Sequence, residues 1–148
     1  RRVTWSRRLD YLVVEYRMRS DEVHTYRQLW HLPRGSKPTL TPTAVRTHRE
    51  RGNVLIRQLT GSVRQRIVVG RRSPIQGWVS LTYASLRKAP VAEVIQRGRD
   101  VRYVTLIVPA AGRPNARVLS FRLTSRGYDL RIRIGSRTER VVADGASI

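Results

Sequence analysis

Apolar and polar residues alternate with a period of two along most of this chain, which is the pattern of half-buried β-strands. The alternation is unbroken at residues 119–123 and 128–134, where serine, aspartate or arginine separates successive apolar residues. Residues 101–108 are apolar on both faces, which predicts a central strand buried on both sides. Almost no stretch has the three- and four-residue apolar spacing of an amphipathic helix. The pattern therefore predicts an all-β protein with little helix.

Shorter strand-like segments make up the rest of the series. They occupy residues 3–5, 12–18, 24–32, 39–41, 44–48, 54–59, 63–69 and 76–83. Polar or glycine- and proline-containing clusters separate them, and we expect Ser20, Asp21 and Glu22 to turn the chain into the next strand. About ten short strands predict an antiparallel β-sandwich of two stacked large sheets. No repeat or linker divides residues 1–148, so we expect a single domain.

The segment 24–35 carries the densest set of side chains suited to polar ligands. A period of two places Tyr26, Gln28 and Trp30 on one face and Arg27 and His31 on the other. An indole, a phenol, an amide, an imidazole and a guanidinium thus lie on one predicted strand. The alternative is structural: the tryptophan fills core, and the arginine and histidine are merely solvated.

The strong positive charge of the chain indicates a negatively charged binding partner. The chain has 30 Lys plus Arg against 10 Asp plus Glu, a net charge of +20, and all but two of the cations are arginine. Such a surface attracts polyanions such as acidic polysaccharide or nucleic acid, and guanidinium groups match carboxylates, sulfates and phosphates. The alternative is codon bias in a GC-rich genome. Outward strand positions hold Arg57, Arg64, Arg66, Arg122, Arg131 and Arg133, which either form a cationic sheet face or are ordinary solvated side chains.

The sequence alone defines no catalytic or metal site. It has no cysteine, no apolar run long enough to span a membrane, and only three histidines, none in a metal-binding spacing. His24 and His31 are seven residues apart, which places them on opposite faces of one strand. We interpret Glu15 as a solvated strand residue and Asp21 and Glu22 as turn residues, so no acid and base pair follows from them.

Three segments together resemble a known family. They are LDYLVVEYRMRSDEVHTYRQLWHLPRG (9–35), SPIQGWVSLTYASLRKAPVAEV (73–94) and VTLIVPAAG (104–112), and the likeness covers about residues 3–112. Within them, the strings Trp-His-Leu-Pro and Gln-Gly-Trp are uncommon. The combination resembles the C-terminal β-sheet portion of the heparinase II/III-like polysaccharide lyases.

The resemblance implies a longer enzyme in which a helical toroid and a catalytic segment precede the β-sandwich. Such an enzyme cleaves acidic, uronate-containing polysaccharides, heparin or heparan-like or alginate-like, by β-elimination. The family's histidine pair and metal ligands have no match here, so no catalytic or metal residue is assigned. We expect no cofactor in this chain, a divalent metal only in the upstream segment, and no activity from the chain alone.

The resemblance also suggests partners and residues that contact substrate. Expected partners are an acidic polysaccharide and the upstream helical domain, not a membrane or nucleic acid, in a periplasmic or extracellular location. Candidate substrate-binding residues are Arg27, Trp30, His31, Gln76, Trp78 and Tyr83. Trp30 and Trp78 are placed to stack on sugar rings and Arg27 to pair with a carboxylate. The alternative function is a noncatalytic basic β-domain that binds polyanions, nucleic acid included.

Overall fold

The computed structural model describes residues 1–61 and 63–145, and within those ranges the chain consists of strands and turns without a helix. The predicted all-β sandwich is confirmed. The first seven strands are β1 (Arg2–Ser6), β2 (Tyr11–His31), β3 (Thr39–Leu40), β4 (Ala44–Arg46), β5 (Asn53–Gln58), β6 (Arg64–Val69) and β7 (Arg71–Arg72). The last seven are β8 (Ile75–Gln76), β9 (Trp78–Thr82), β10 (Ser85–Lys88), β11 (Pro90–Ala110), β12 (Arg117–Leu123), β13 (Tyr128–Ile134) and β14 (Arg137–Ala143).

Strands β2 and β11 are far longer than the alternating pattern predicts. Each has 21 residues, and they pair antiparallel along most of their length. Residues 20–22 therefore do not turn the chain, and that prediction is wrong. Instead, residues 20–23 of β2 lie opposite a single β11 residue, Arg99. The extra residues of β2 form a bulge. A bulge absorbs polar residues while pairing continues on either side of it.

At this bulge the β2–β11 ribbon folds back on itself. The hydroxyl of Thr105 donates to Oε1 of Gln28 over 3.0 Å, yet the cross-strand neighbour of Gln28 is Val94. In a straight strand, Thr105 and Val94 would lie about 36 Å apart. We call residues 11–19 with 100–110 the inner half of the ribbon, and residues 24–31 with 90–98 the outer half.

The folded ribbon produces three layers. The large sheet has the order β1-β2-β11-β5-β4-β3, and β6 pairs with the outer half of β11. The small sheet β12-β13-β14 covers the other side of the inner half. Fully buried Tyr11, Leu106, Leu130 and Ile132 lie between the inner half and the small sheet. The inner half is thus covered on both faces, as predicted for residues 101–108.

The predicted alternation in β12 is wrong at two positions. Leu119 and Leu123 were expected on the core face, but they are 39% and 43% exposed. A register shift between Val118 and Ser120 places Val118 on the core face in place of Leu119, whereas Phe121 packs against the core as predicted. Leu123 has the same strand parity as Phe121 but is the last residue of β12, where it remains exposed.

Glu15 is buried and is not the solvated residue that the sequence suggested. It accepts a hydrogen bond of 2.6 Å from Nε of Arg102. The same guanidinium donates to the carbonyl oxygens of Thr124 (2.5 Å) and Gly127 (2.7 Å), in the turn between β12 and β13. This pair fastens the small sheet to the inner half.

The segment between β6 and β11 leaves the main sheet as two short hairpins. Residues 76–83 were predicted as one strand, but they are divided between β8 and β9 at Gly77. Gly77 has φ of 80°, and a β-carbon there would lie 2.7 Å from the backbone nitrogen of Gly70. Only glycine fits this backbone. In the described ranges, no helix is long and apolar enough to cross a membrane.

Candidate polyanion-binding face

The outer half of the ribbon presents several arginines on one surface. Cross-strand neighbours in a sheet point to the same side. Arg27 of β2 and Arg64 of β6 flank the same β11 residue, Ile95, and Arg66 of β6 lies beside Glu93. We call this surface the basic face, and it consists of Arg27, His31, Arg64, Arg66 and Arg97 around Glu93.

Sheet geometry sets the spacing of these charges. Neighbouring strands lie about 4.8 Å apart, and residues two apart on a strand are separated by about 7 Å. Arg27 and Arg64 are two strands apart, so their α-carbons are separated by about 10 Å. The arginines thus form an array rather than a single pocket. An array suits an extended ligand that carries repeated negative charges.

Glu93 organises this array from below. Its side chain is fully buried and accepts hydrogen bonds from Nη1 of Arg27, at 2.9 Å, and from Nε of Arg66. Burial alone would raise the pKa of Glu93, but the hydrogen bonds and charges of Arg66 and Arg27 outweigh burial and hold that pKa below its ordinary value. The carboxylate is therefore ionised at neutral pH and fixes both guanidinium groups.

Fixing the arginines does not use up their binding capacity. Each guanidinium has five N–H donors, and the bonds to Glu93 engage one or two of them. The side chains of Arg27 and Arg66 remain 47% and 40% exposed. A preorganised donor loses less conformational entropy on binding than a free arginine does. The face can therefore bind carboxylates or sulfates through guanidinium forks that are already held in place.

The six residues suggested by the sequence lie in three separate places. Arg27 and His31 share the basic face, as the period of two predicted, and His31 is exposed. Trp30 points to the opposite side and packs, partly buried, between the ribbon halves. It cannot stack on a sugar that is bound to Arg27 on the basic face.

The other three suggested residues lie in the hairpins outside the main sheet. Gln76 accepts a hydrogen bond of 2.8 Å from Nη2 of Arg71, and Nε1 of Trp78 donates to the carbonyl oxygen of Arg71, also at 2.8 Å. These bonds connect the hairpin strands to each other. Tyr83 lies in the turn between β9 and β10 and is fully exposed. A substrate role for these residues stays a prediction.

Sequence reasoning missed Glu93 and Arg97, and it did not separate the arginines by face. A signal for Glu93 was present, because it is the only charge in the apolar run 89–95, where an unpaired carboxylate would be costly. Arg64 and Arg66 belong to the basic face, whereas Arg131 and Arg133 lie exposed on the small sheet. Arg57 is partly buried, and Nη1 of Arg57 is 3.5 Å from the carbonyl oxygen of Ala116.

Metal ligands do not cluster in the part of the chain that the structure describes. Residues 1–61 and 63–145 contain no group of three histidine, aspartate or glutamate side chains that could hold an ion.

Two solved structures share this arrangement of strands. One is heparan sulfate lyase HepC from Pedobacter heparinus, at 18% identity and a TM-score of 0.74, over 93% of this chain and 23% of that one. The structure of a mutant of the same lyase has 19% identity and a TM-score of 0.71, over 90% of this chain and 22% of the mutant lyase. The chain has the fold of part of a heparan sulfate lyase.

At these identities the likeness is one of fold. The chain spans less than a quarter of the length of the solved lyases. No protein-family model matches the sequence, and no curated protein does. The resemblance to heparinase II/III-like enzymes is therefore supported at the level of the β-sandwich.

Proposed function

We propose that this chain is the β-sandwich part of a polysaccharide lyase, and that its basic face binds the acidic polysaccharide. The fold shared with a heparan sulfate lyase supports the class. The observation that carries the binding role is buried Glu93, which holds Arg27 and Arg66 in place on an exposed surface. A carboxylate buried under two half-exposed arginines organises a charged surface more than it stabilises a core.

In this role the chain binds and orients substrate and leaves the chemistry to other segments. β-Elimination needs a base for the proton next to the uronate carboxylate and an acid for the leaving oxygen. We assign neither group to this chain and place both upstream, in a helical domain and catalytic segment that also contain any divalent metal. The substrate is a heparin or heparan-like or alginate-like polymer, and the location periplasmic or extracellular.

A second function is a noncatalytic domain that binds polyanions in general. It is favoured by the spread of the charge, since Arg122, Arg131 and Arg133 form another exposed basic surface on the small sheet. If charge alone drives binding, both surfaces contribute and DNA binds as well as polysaccharide does.

A paired set of variants separates these functions. Arg64→Gln with Arg97→Gln removes two charges from the basic face, and Arg131→Gln with Arg133→Gln removes the same charge from the small sheet. On our proposal the first pair weakens heparin binding about tenfold and reduces its salt dependence, because two ion contacts are lost. The second pair changes affinity little. Calorimetric titration with heparin at several salt concentrations measures the affinity and its salt dependence. Equal losses of affinity in the two double variants would favour the noncatalytic function.

Lyase activity provides an independent test of whether the chain is part of a polysaccharide lyase. Incubated with uronate polysaccharides, the chain alone should form no unsaturated uronate, which is detected by its ultraviolet absorbance, whereas a chain extended toward the N-terminus should form it. Turnover by the chain alone that disappears in a His31→Ala variant would move the catalytic site onto β2. Absence of activity in the extended chain, with heparin binding intact, would leave only the binding function.

A further inference from the structure

A cleft lies where the inner half of the ribbon meets the turn between β12 and β13. Its volume is about 490 Å³, and it is open to solvent. We call this space the basic cleft. One carboxylate lines it, that of Glu15. The other charged residues of its lining are five arginines: Arg1, Arg2, Arg17, Arg102 and Arg126. Five positive charges against one negative charge leave a net charge of +4 in the cleft.

Arg102 holds the two walls of the basic cleft together. On the inner half its guanidinium pairs with Glu15, and on the other wall it donates to the carbonyl oxygens of Thr124 and Gly127. The Arg102 side chain is only 11% exposed, so this link is largely shielded from water. Arg2 lies 3.6 Å from the same carboxylate. These two arginines neutralise Glu15, which would otherwise repel an anion, and the other arginines supply the excess charge of a preformed cleft.

The turn between β12 and β13 is fixed in place and presents Arg126 to the cleft. The amide of Thr124 donates to the carbonyl oxygen of Gly127 over 2.9 Å, and the amide of Gly127 donates to the hydroxyl of Thr124 over 2.9 Å. The turn also packs tightly on β14, because a β-carbon at Gly127 would overlap the carbonyl oxygen of Ala143. Arg126 itself is exposed, and within residues 1–61 and 63–145 it makes no hydrogen bond or ion pair. Its guanidinium is therefore available to a ligand.

Arg17 lines the cleft from β2. Its Nη1 donates to the carbonyl oxygen of Ser125 over 3.2 Å, and its Nη2 lies 3.7 Å from the carboxylate of Asp100. The Arg17 side chain is 41% exposed, and a guanidinium has five N–H donors, so Arg17 retains donors for a ligand. The ion pair with Asp100 is exposed and contributes little. The cleft thus presents available guanidinium groups from both of its walls.

We propose that the basic cleft binds a compact anion with two adjacent phosphate or sulfate groups, of which diphosphate is the simplest. Guanidinium forks match the oxygens of both groups, and a cleft lined by one sign of charge concentrates counter-ions. One phosphate group carries a charge of about −1.5 to −2, so two such groups balance the net charge of the cleft. No described aromatic or apolar side chain lines it, which leaves a sugar face or a nucleobase nothing to stack on. The basic cleft shares no residue with the basic face.

Calorimetric titration with inorganic diphosphate, in the absence of metal ions, tests the cleft directly. We expect saturable binding to a single site. Arg17→Gln with Arg126→Gln removes the two available guanidinium groups and should weaken diphosphate binding about tenfold, because two charged hydrogen-bond donors are lost. Arg126→Gln alone should weaken it about threefold. This single variant should leave the melting temperature unchanged, since Arg126 bonds to no other described residue.

Two control pairs remove the same charge elsewhere. Arg131→Gln with Arg133→Gln acts on the small sheet, and Arg64→Gln with Arg97→Gln acts on the basic face; neither pair should change diphosphate affinity appreciably. The proposal is overturned if diphosphate does not saturate, or if either control pair weakens its binding as much as the substitutions in the cleft do. A sulfated heparin disaccharide, titrated in parallel, identifies the source of the anion, because the tighter of the two ligands shows whether sulfate or phosphate groups are preferred. Loss of heparin binding in the basic-face pair with diphosphate binding intact would show that the two sites act separately.

Discussion

The exchange Glu93→Gln tests whether a buried carboxylate organises the basic face. The substitution keeps the size of the side chain and removes its charge, so the protein becomes more positive by one unit. If charge alone governed binding, heparin would bind more tightly. If Glu93 fixes Arg27 and Arg66, as its two hydrogen bonds indicate, both guanidinium groups become mobile and heparin binds more weakly.

The same exchange has a predictable effect on stability. A hydrogen bond to a charged group contributes about 1.5–3 kcal/mol, and Glu93 accepts one from each arginine. Glutamine retains one acceptor oxygen, so one bond survives, while its amide NH₂ faces the other guanidinium. Water reaches the half-exposed arginines and limits the loss to about 2–3 kcal/mol. For a chain of this length, this lowers the melting temperature by about 5–10 °C.

Thermal unfolding followed by circular dichroism measures stability, and heparin titration well below the melting temperature measures binding. Asp129→Asn is the matched control, because Asp129 also pairs with two arginines, Arg122 and Arg140, but on an exposed surface. Its effect on melting should be much smaller. Equal melting temperatures for the two variants, or tighter heparin binding by Glu93→Gln, would refute the organising role of Glu93.

Three further predictions follow from the fold and the charges. The pKa of Glu93 lies below its ordinary value of 4.5, so the contribution of Glu93 to stability is complete above pH 4.5 and is lost as the pH falls through the lowered pKa. The difference in melting temperature between the unmodified chain and Glu93→Gln should therefore become smaller in acid. Gly77→Ala should lower the melting temperature and Gly112→Ala should not, since a β-carbon at Gly77 meets backbone within 2.8 Å and at Gly112 meets nothing within 4 Å. The far-ultraviolet circular dichroism spectrum should be that of a β-protein, and a helix content near a third of the residues would contradict the fold.

The strand content and face assignment of most segments could be predicted because alternation is a local property. Burial alternates along β13 as the sequence indicates, and Tyr128, Leu130 and Ile132 are fully buried. The faces of residues 24–32 were also predicted correctly, with Gln28 and Leu32 buried between exposed neighbours. In each case the side-chain period alone determines the face.

Features that depend on strand register could not be predicted from alternation. The bulge at 20–23 is polar, and polar residues favour turns and bulges alike. Only pairing with β11 distinguishes the two. The basic face also depends on strand register. Arg27, Glu93 and Arg66 come from three different strands, and only the pairing of those strands brings them together. A single sequence contains the charges and not their alignment.

The folded ribbon also has a consequence for how the chain reaches its native state. Leu12 pairs with Ile107, so residues that are distant in sequence must meet to form the ribbon. Loops of this length are entropically costly to close, and proteins dominated by such contacts fold in milliseconds to seconds. Between pairing and folding back, Val94 and Tyr103 would be exposed to solvent. Aggregation in that interval, rather than low native stability, should limit the yield of folded protein at high concentration.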